Sequence, residues 1–455
     1  MRAAIAGDEH HDFTEGSLTR AIILLAIPMV LEMCMESLFG IVNVFWVARL
    51  GSNALAAVAL TEAMLALVFA VAMGISMATT AMIARRIGEK DAGGASVAAF
   101  QSIALGFFLA AAIAIPGFLF APQLLSAMGA EQAVIQAGAG YTRWILGNAL
   151  SILLLFIMNA IFRGAGDAAI AMRVLWFGNA VNMVLDPLLI FGLGPIPALG
   201  VEGAGIATVI GRSSAVAYQV WVFLGSRSRI RLERRHMRID LTVMGRLFGV
   251  SATGMLQYLV ATASWVGLVR IVAMFSSAAL AGYTIAIRII VFSILPSWGL
   301  ANAAATLVGQ NLGARKPERA ESAVWRTALY NMYFLGAIGL IFIAVPGLLV
   351  RIFTNEPEVV RYGVACLRII SYGYLFYAYG MVTVQAFNGA GDTRTPTWIN
   401  LGCYWLFQIP MAWLLAKGMG FGAHGAFWAI PLAESALAAA GIWAFRLGRW
   451  KQQVI

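Results

Sequence analysis

Twelve apolar runs of twenty or more residues follow one another along this chain of 455 residues, at about 22–48, 57–83, 95–121, 133–161, 168–193, 200–225, 247–273, 279–307, 324–350, 359–386, 396–416 and 424–445. Each is long enough to cross the roughly 30 Å hydrocarbon core of a bilayer as a helix. Little sequence remains between them for a soluble domain. Charge agrees: 61% of residues are hydrophobic and only 11% charged, too few charges to cover a water-soluble protein of this length. Cys34, Cys366 and Cys403 all fall within apolar runs. Small buried thiols are expected there, with no support for a disulfide framework or a metal site. The first twenty residues are polar, carry four acids and lack the basic start of a secretory signal, so no cleavage is expected.

The positive charge is distributed unevenly. With the N-terminus placed in the cytoplasm, 22 of the 31 Lys and Arg fall in cytoplasmic tails and loops, against four on the opposite side and five inside spans. The positive-inside rule therefore predicts a multi-pass protein of the cell inner (plasma) membrane with both termini cytoplasmic. The net charge of +10 concerns topology and anionic lipid rather than nucleic acid. The densest basic segment, 227–240, is expected to lie along the inner membrane surface.

A repeat organises the spans. Residues 162–167 read FRGAGD and residues 387–392 read FNGAGD, a separation of 225. At the same shift Gly88 meets Gly313, Gly74 meets Gly299 and Arg143 meets Arg368; after a three-residue loss, GVEGAG at 200–205 meets GAHGAF at 422–427. Two six-helix halves follow. Six is even, so both enter the membrane from the same side as parallel repeats about an axis along its normal. The expected divisions are an N-terminal tail 1–20, an N-lobe 21–226, a basic linker 227–243, a C-lobe 244–446 and a C-terminal tail 447–455. A cleft between such lobes suits alternating access. The GAGD stretches are expected to be tight hairpins, with Gly at the helix end, Asp167 and Asp392 capping the following helix, and Pro396 in its first turn.

Ionisable groups in hydrocarbon cost roughly 2.5–3.5 kcal/mol or more, which makes them candidates for function. In the first span Glu32 and Glu36 are one turn apart, with Asn43 seven residues further on the same face and Pro28 one turn before Glu32. Two carboxylates so close do not both ionise easily, which suits a proton carrier; a polar stripe for helix packing is the plainer reading. Asn179, Asn182 and Asp186 share a face of the fifth span, and at a shift of 225 Asn182 and Asp186 become Phe407 and Met411. Gln257 replaces Glu32 in the second half, so the ionisable groups are biased to the first. Glu434 lies mid-span in the last helix, its counterpart being Arg212; they either meet or pair locally. Asn179, Met33, Gln257 and Glu434 are candidate substrate-cavity residues. Arg143, Arg368, Glu62, Arg288 and Arg212 are candidate gate or interface residues. The many Met and Phe suit varied apolar ligands, though most are ordinary lipid-facing or core residues. No dinucleotide, Walker A or HExxH pattern occurs, so no enzyme and no nucleotide-driven pump is expected.

Five stretches carry a family resemblance: IPMV…FWVARLG (27–51), RGAGDAAIAM (163–172), NAVNMVLDPLLIFGLG (179–194), ALGVEGAGIATVIGR (198–212) and NGAGDTRTP (388–396). Together they resemble the multidrug and toxic compound extrusion (MATE) family, prokaryotic type. The resemblance implies an all-α membrane protein with twelve helices in two pseudo-twofold six-helix bundles forming a V-shaped cleft. It implies export of lipophilic, often cationic compounds in exchange for H⁺ or Na⁺, with no other cofactor, and a monomer in contact with lipid. Related members pair a helix 1 carboxylate with an Asn, an Asp and a Thr, which here fall on Asn182, Asp186 and Thr208. The usual helix 1 acid position holds Asn43. Glu36 assisted by Glu32 is the expected replacement, with Asp186 acting alone as the alternative, and H⁺ is favoured over Na⁺. A lipid or lipid-linked oligosaccharide flippase of the same superfamily is the rival function; a channel is the rival of a different class.

Overall fold

The computed structural model describes residues 4–5, 11–192, 194–195, 197–225, 228–232, 236–453 and 455. Its spans are α1 (Leu18–Val47), α2 (Ser52–Gly88), α3 (Ala92–Leu119), α4 (Gln132–Gly147 with Ala149–Ala165), α5 (Ala168–Phe191), α6 (Gly200–Leu224), α7 (Leu241–Ala273), α8 (Ser277–Gly313), α9 (Pro317–Ala344), α10 (Pro357–Ser371 with Tyr374–Ala390), α11 (Arg394–Gly418) and α12 (Ala423–Arg446). Nine are long and apolar enough to cross a membrane alone, while α4 and α10 are bent by 41° and 58° between their segments. The twelfth, α6, is 25 residues long but more polar, because it carries Glu202, Arg212 and Gln219. The result is the all-helical pair of six-helix bundles expected from the sequence.

Local chemistry sets the ends. Ser276 Oγ accepts from Ala279 N at the start of α8 (3.0 Å), and Asp240 Oδ1 from Thr242 N at the start of α7 (2.9 Å). The GAGD hairpins close as expected: Gly166 and Gly391 take φ of 92° and 87°, and Asp167 N and Asp392 N donate to Phe162 O (2.8 Å) and Phe387 O (2.9 Å). Asp392 Oδ1 then accepts from Thr395 N (3.1 Å). Asp167 does not cap α5. Its carboxylate instead accepts from Arg229 N (3.0 Å) and Ser228 Oγ (3.2 Å) and ties down the linker. That linker docks on α3 rather than only lying along a surface: Arg231 O and Arg238 O accept from Ser96 Oγ and Gln101 Nε2. Linker residues 227 and 233–235, like tail residues 1–3 and 6–10, lie outside the described set. Cys366 and Cys403 are buried as expected, but Cys34 is exposed, because it lies on the face of α1 opposite Glu32 and the core.

The repeat is visible as exchanged contacts. A Cβ on Gly88 would collide with Gln310 O, and a Cβ on Gly313 with Arg85 O. A shift of 225 turns one contact into the other. Gly74 likewise lies against Ser251 and Met255 of α7, while Gly299 lies against Met29 and Val30 of α1. The first helix of each half therefore packs on the second helix of the other, α1 on α8 and α7 on α2. Helices α2 and α8 are 37 residues each, about 55 Å long, so they run past the hydrocarbon and cross where the glycines let backbones touch. A small core of Leu25, Met29, Ala303 and Leu307 seals the lobes on the side that bears both termini. The V opens on the other side.

Candidate functional site

Midway along α1, Glu32 is buried to 1% exposure, yet Pro28 one turn earlier has no N–H to tie the helix there. Such a carboxylate needs donors. Two come from the C-terminal end of α4: Asn159 Nδ2 at 3.2 Å and Arg163 Nη1 at 3.4 Å, both on Glu32 Oε1. Asn159 is held in turn by Gln219 Nε2 of α6, which donates to its Oδ1 at 2.8 Å. The second oxygen, Glu32 Oε2, has no partner. One turn along, Glu36 Oε2 accepts from Asn179 Nδ2 of α5 (3.1 Å).

Glu32, Met33 and Glu36 line a cavity of about 250 Å³ between the lobes. Its floor is a chain of amides from the second half: Asn388 Nδ2 donates to Gln385 Oε1 (2.6 Å), and Gln385 Nε2 to Asn302 Oδ1 (2.7 Å). Arg163 and Asn388 are the residues that precede GAGD in each repeat. Arg163 therefore belongs to the cavity, not only to the inside charge expected of it, because α4 aims its last turn at Glu32. From the other lobe, Thr306 Oγ1 and Gln310 Nε2 donate to Arg163 O (3.2 Å) and Gly164 O (2.9 Å). The signal was present in the sequence as Asn159 and Arg163, four residues apart on one face of an apolar run.

A second cavity, about 350 Å³, adjoins the first and shares Met77, Tyr258 and Trp298 with it. Gln257 and Glu434 are among its lining residues. Glu434 takes its hydrogen bond from Tyr404 Oη at 3.1 Å. Tyr404 is the repeat counterpart of Asn179, so corresponding positions on α5 and α11 each donate to a carboxylate, supplied by α1 in one half and by α12 in the other.

The remaining polar residues divide by place. Asp186, fully buried, lies beside Asn43 and lines neither cavity. The Asn43 amide is the one donor that acts on its carboxyl, neither oxygen having a closer partner; Asn182 Oδ1 has none, and Thr208 Oγ1 bonds its own helix at Ala204 O (3.0 Å). Glu36 and Asp186 thus do not form one cluster. Arg212 and Glu434 do not meet: Arg212 acts on Tyr141 within its own lobe. Nor do Arg143 and Arg368 reach across the cleft. Arg143 stacks over Phe118 (5.8 Å) and Arg368 Nε donates to Ile343 O (3.2 Å), equivalent contacts on the third helix of each half. Glu62 and Arg288 are the cross-lobe pair, exposed and within electrostatic reach of one another towards the open end.

The MatE family profile matches residues 28–188 and again 254–414, once in each half. The chain belongs to the multidrug and toxic compound extrusion family. It is similar to a probable multidrug resistance protein NorM of Thermotoga maritima, 24% identical over 90% of this chain and 88% of that one. It is also similar to an FAD transporter of Shewanella oneidensis, 25% identical over 89% of each. Among solved structures, a multidrug resistance MATE transporter in an outward-facing conformation superposes with a TM-score of 0.91 at 25% identity, covering 97% of this chain and 98% of that one. The MATE fold explains why the repeat-related glycines matter: they are the contacts on which its two lobes close.

Proposed function

We propose that this MATE protein is a secondary antiporter that exports lipophilic, cationic compounds in exchange for H⁺. The supporting observation is the pair Glu32 and Glu36 in one inter-lobe cavity whose lining holds a single cation, Arg163. With both acids ionised the three groups sum to one negative charge and attract a monocation. One proton brings the sum to zero and releases it. The groups around both carboxylates favour a proton over Na⁺: Asn159, Arg163 and Asn179 present N–H donors, whereas a hard cation needs oxygen ligands. Orphaned Glu32 Oε2 is the oxygen free to take the proton. A cytoplasmic location of both termini in the plasma membrane makes this conformation outward-open, with the crossing of α2 and α8 sealing the inside. The lone guanidinium, already bonded to Glu32, argues against a flippase for a diphosphate head group.

A second reading rests on Asp186. Its carboxylate, with the Asn43 amide as its one neighbouring donor, and Asn182 Oδ1 offer acceptor oxygens, which suits Na⁺ as well as H⁺. Reconstituted protein under separately imposed pH and Na⁺ gradients distinguishes the two. Cationic dye uptake into everted vesicles driven by an acid interior supports H⁺ exchange at Glu32 and Glu36. Uptake that needs Na⁺ and ignores the pH gradient reverses the assignment.

A further inference from the structure

The second cavity holds a buried carboxylate without a cation. Glu434 is 6% exposed, Tyr404 gives it one hydrogen bond, and its Oε2 has no donor. Gln257 Oε1 and Asn400 Oδ1, on residues each 5% exposed, also line this cavity and also have no donor. Residues from α7, α11 and α12, each with an acceptor oxygen that has no donor, thus line one space, and no Lys or Arg is among its lining residues. The rest of the wall is apolar apart from Thr262 and Gln385, and Tyr258, Trp265, Trp298, Tyr377 and Tyr404 contribute aromatic rings to it. Aromatic faces carry negative potential and attract weakly hydrated cations. A proton would satisfy Glu434 alone and leave the volume, the two amide oxygens and the rings unused. A metal ion would leave the rings unused. A substituted ammonium uses all of them.

We propose that this cavity is a binding site for the substituted ammonium head group of a lipophilic cation, with Glu434 as its counter-ion. The body of the ligand extends past Met77 and Trp298 into the first cavity, since both cavities share those residues. The two lobes then divide the work. Glu32 and Glu36 on α1 handle protons, while Gln257, the counterpart of Glu32, leaves the C-lobe neutral at that position and α12 supplies a carboxylate for the head group instead. The backbone of α11 is locally adapted for this: Leu401–Gln408 is π-helical, and Tyr404, which orients Glu434, lies within it. The proposal deepens the export reading by naming where the head group sits, but binding itself does not depend on which ion drives transport.

The test is equilibrium binding to the purified full-length protein in detergent. The probes are a fluorophore bearing a trimethylammonium group and its uncharged tert-butyl isostere. The wild type is expected to prefer the cation by about tenfold. Glu434→Gln is expected to bring the two affinities within about threefold while isostere binding persists. Trp265→Leu, which thins the wall without touching the carboxylate, is expected to reduce the preference in the same direction, so an unfolded Glu434 variant does not end the test. Glu36→Gln, which removes one charge from the adjoining cavity, is expected to lower the preference less than Glu434→Gln does. A cation preference unchanged in both Glu434→Gln and Trp265→Leu overturns the proposal, as does a larger loss in Glu36→Gln than in Glu434→Gln. Neither result touches H⁺ exchange, which is read separately in vesicles.

Discussion

Arg163 Nη1 lies 3.4 Å from Glu32 Oε1, joining the last turn of α4 to the middle of α1 with side-chain exposures of only 12% and 2%. The pair puts a residue of a hairpin motif into the central cavity. A buried pair broken on one side leaves the other charge uncompensated, at about 3–5 kcal/mol. Arg163→Gln is therefore expected to lower thermal stability by roughly that amount, and Arg163→Gln with Glu32→Gln to recover most of it. Additive losses in the double variant, by thermal unfolding in detergent, would falsify the direct pairing.

The proposed proton exchange gives transport a pH sign. Each unit of acid-outside gradient supplies about 1.36 kcal/mol per proton, so export rises as the outside is acidified at constant membrane potential. Glu36→Gln and Glu32→Gln are each expected to remove most of that dependence in everted vesicles. Full gradient-driven dye accumulation in both variants sinks the assignment to α1 and leaves Asp186 as the coupling residue.

Close backbone approach at the helix crossing forbids a side chain. Gly88→Ala pushes a methyl group into Gln310 O, and Gly313→Ala into Arg85 O. Overpacking of this kind costs roughly 1–3 kcal/mol. Because the two contacts are symmetry counterparts, the two variants are expected to show similar falls in thermal stability and transport. A large effect in one and none in the other contradicts the exchanged geometry.

At the C-terminal tail, Lys451 Nζ lies 2.6 Å from Glu321 Oε2 at the start of α9. That hydrogen bond and its positive charge hold the Glu321 carboxyl below its ordinary value. A depressed carboxyl stabilises the docked tail at neutral pH, and the contribution is lost as the pH falls through the lowered value. Fluorescence of Trp450, fully buried beside Phe445, is expected to report an acid release that begins below the ordinary glutamate value of about 4.3. Lys451→Met is expected to abolish that step. A Trp450 signal identical in both proteins refutes the tether.

The spans and their doubling were legible because hydropathy and a constant offset survive without any knowledge of contacts. α6 was also within reach, since twenty-five helical residues outweigh its few charges. Membership of the site was only partly legible. Glu32, Glu36, Gln257 and Glu434 announce themselves as polar groups in apolar runs. Arg163 did so only through its spacing from Asn159, because its place at a helix end is equally that of an ordinary inside charge; the direction of α4 is what brings it to Glu32. Tyr404 was hidden for another reason: aromatic residues are common in membrane helices, and its role depends on a π-helical turn that no periodicity announces. Arg143 and Arg368 show the opposite case. Their matched positions left a gate open, and each touches the equivalent residue of its own lobe, Phe118 or Ile343.

The crossing of α2 over α8 has a mechanical consequence. Its contact surfaces are glycine, alanine and carbonyl oxygen, with no long side chain of one helix lodged in the other at Gly88 or Gly313. Under alternating access, only the hydrogen bonds of Thr306 and Gln310 to the Arg163 and Gly164 carbonyls have to break there, and the glycine contacts themselves can peel open. The seam can also re-form in only one register, since each bare patch fits the backbone of its twin. Acting over helices about 55 Å long, a rotation of about 15° at that fulcrum moves the far ends by roughly 14 Å. A seam of small residues at one end thus works as the short arm of a lever whose long arm opens the cavity.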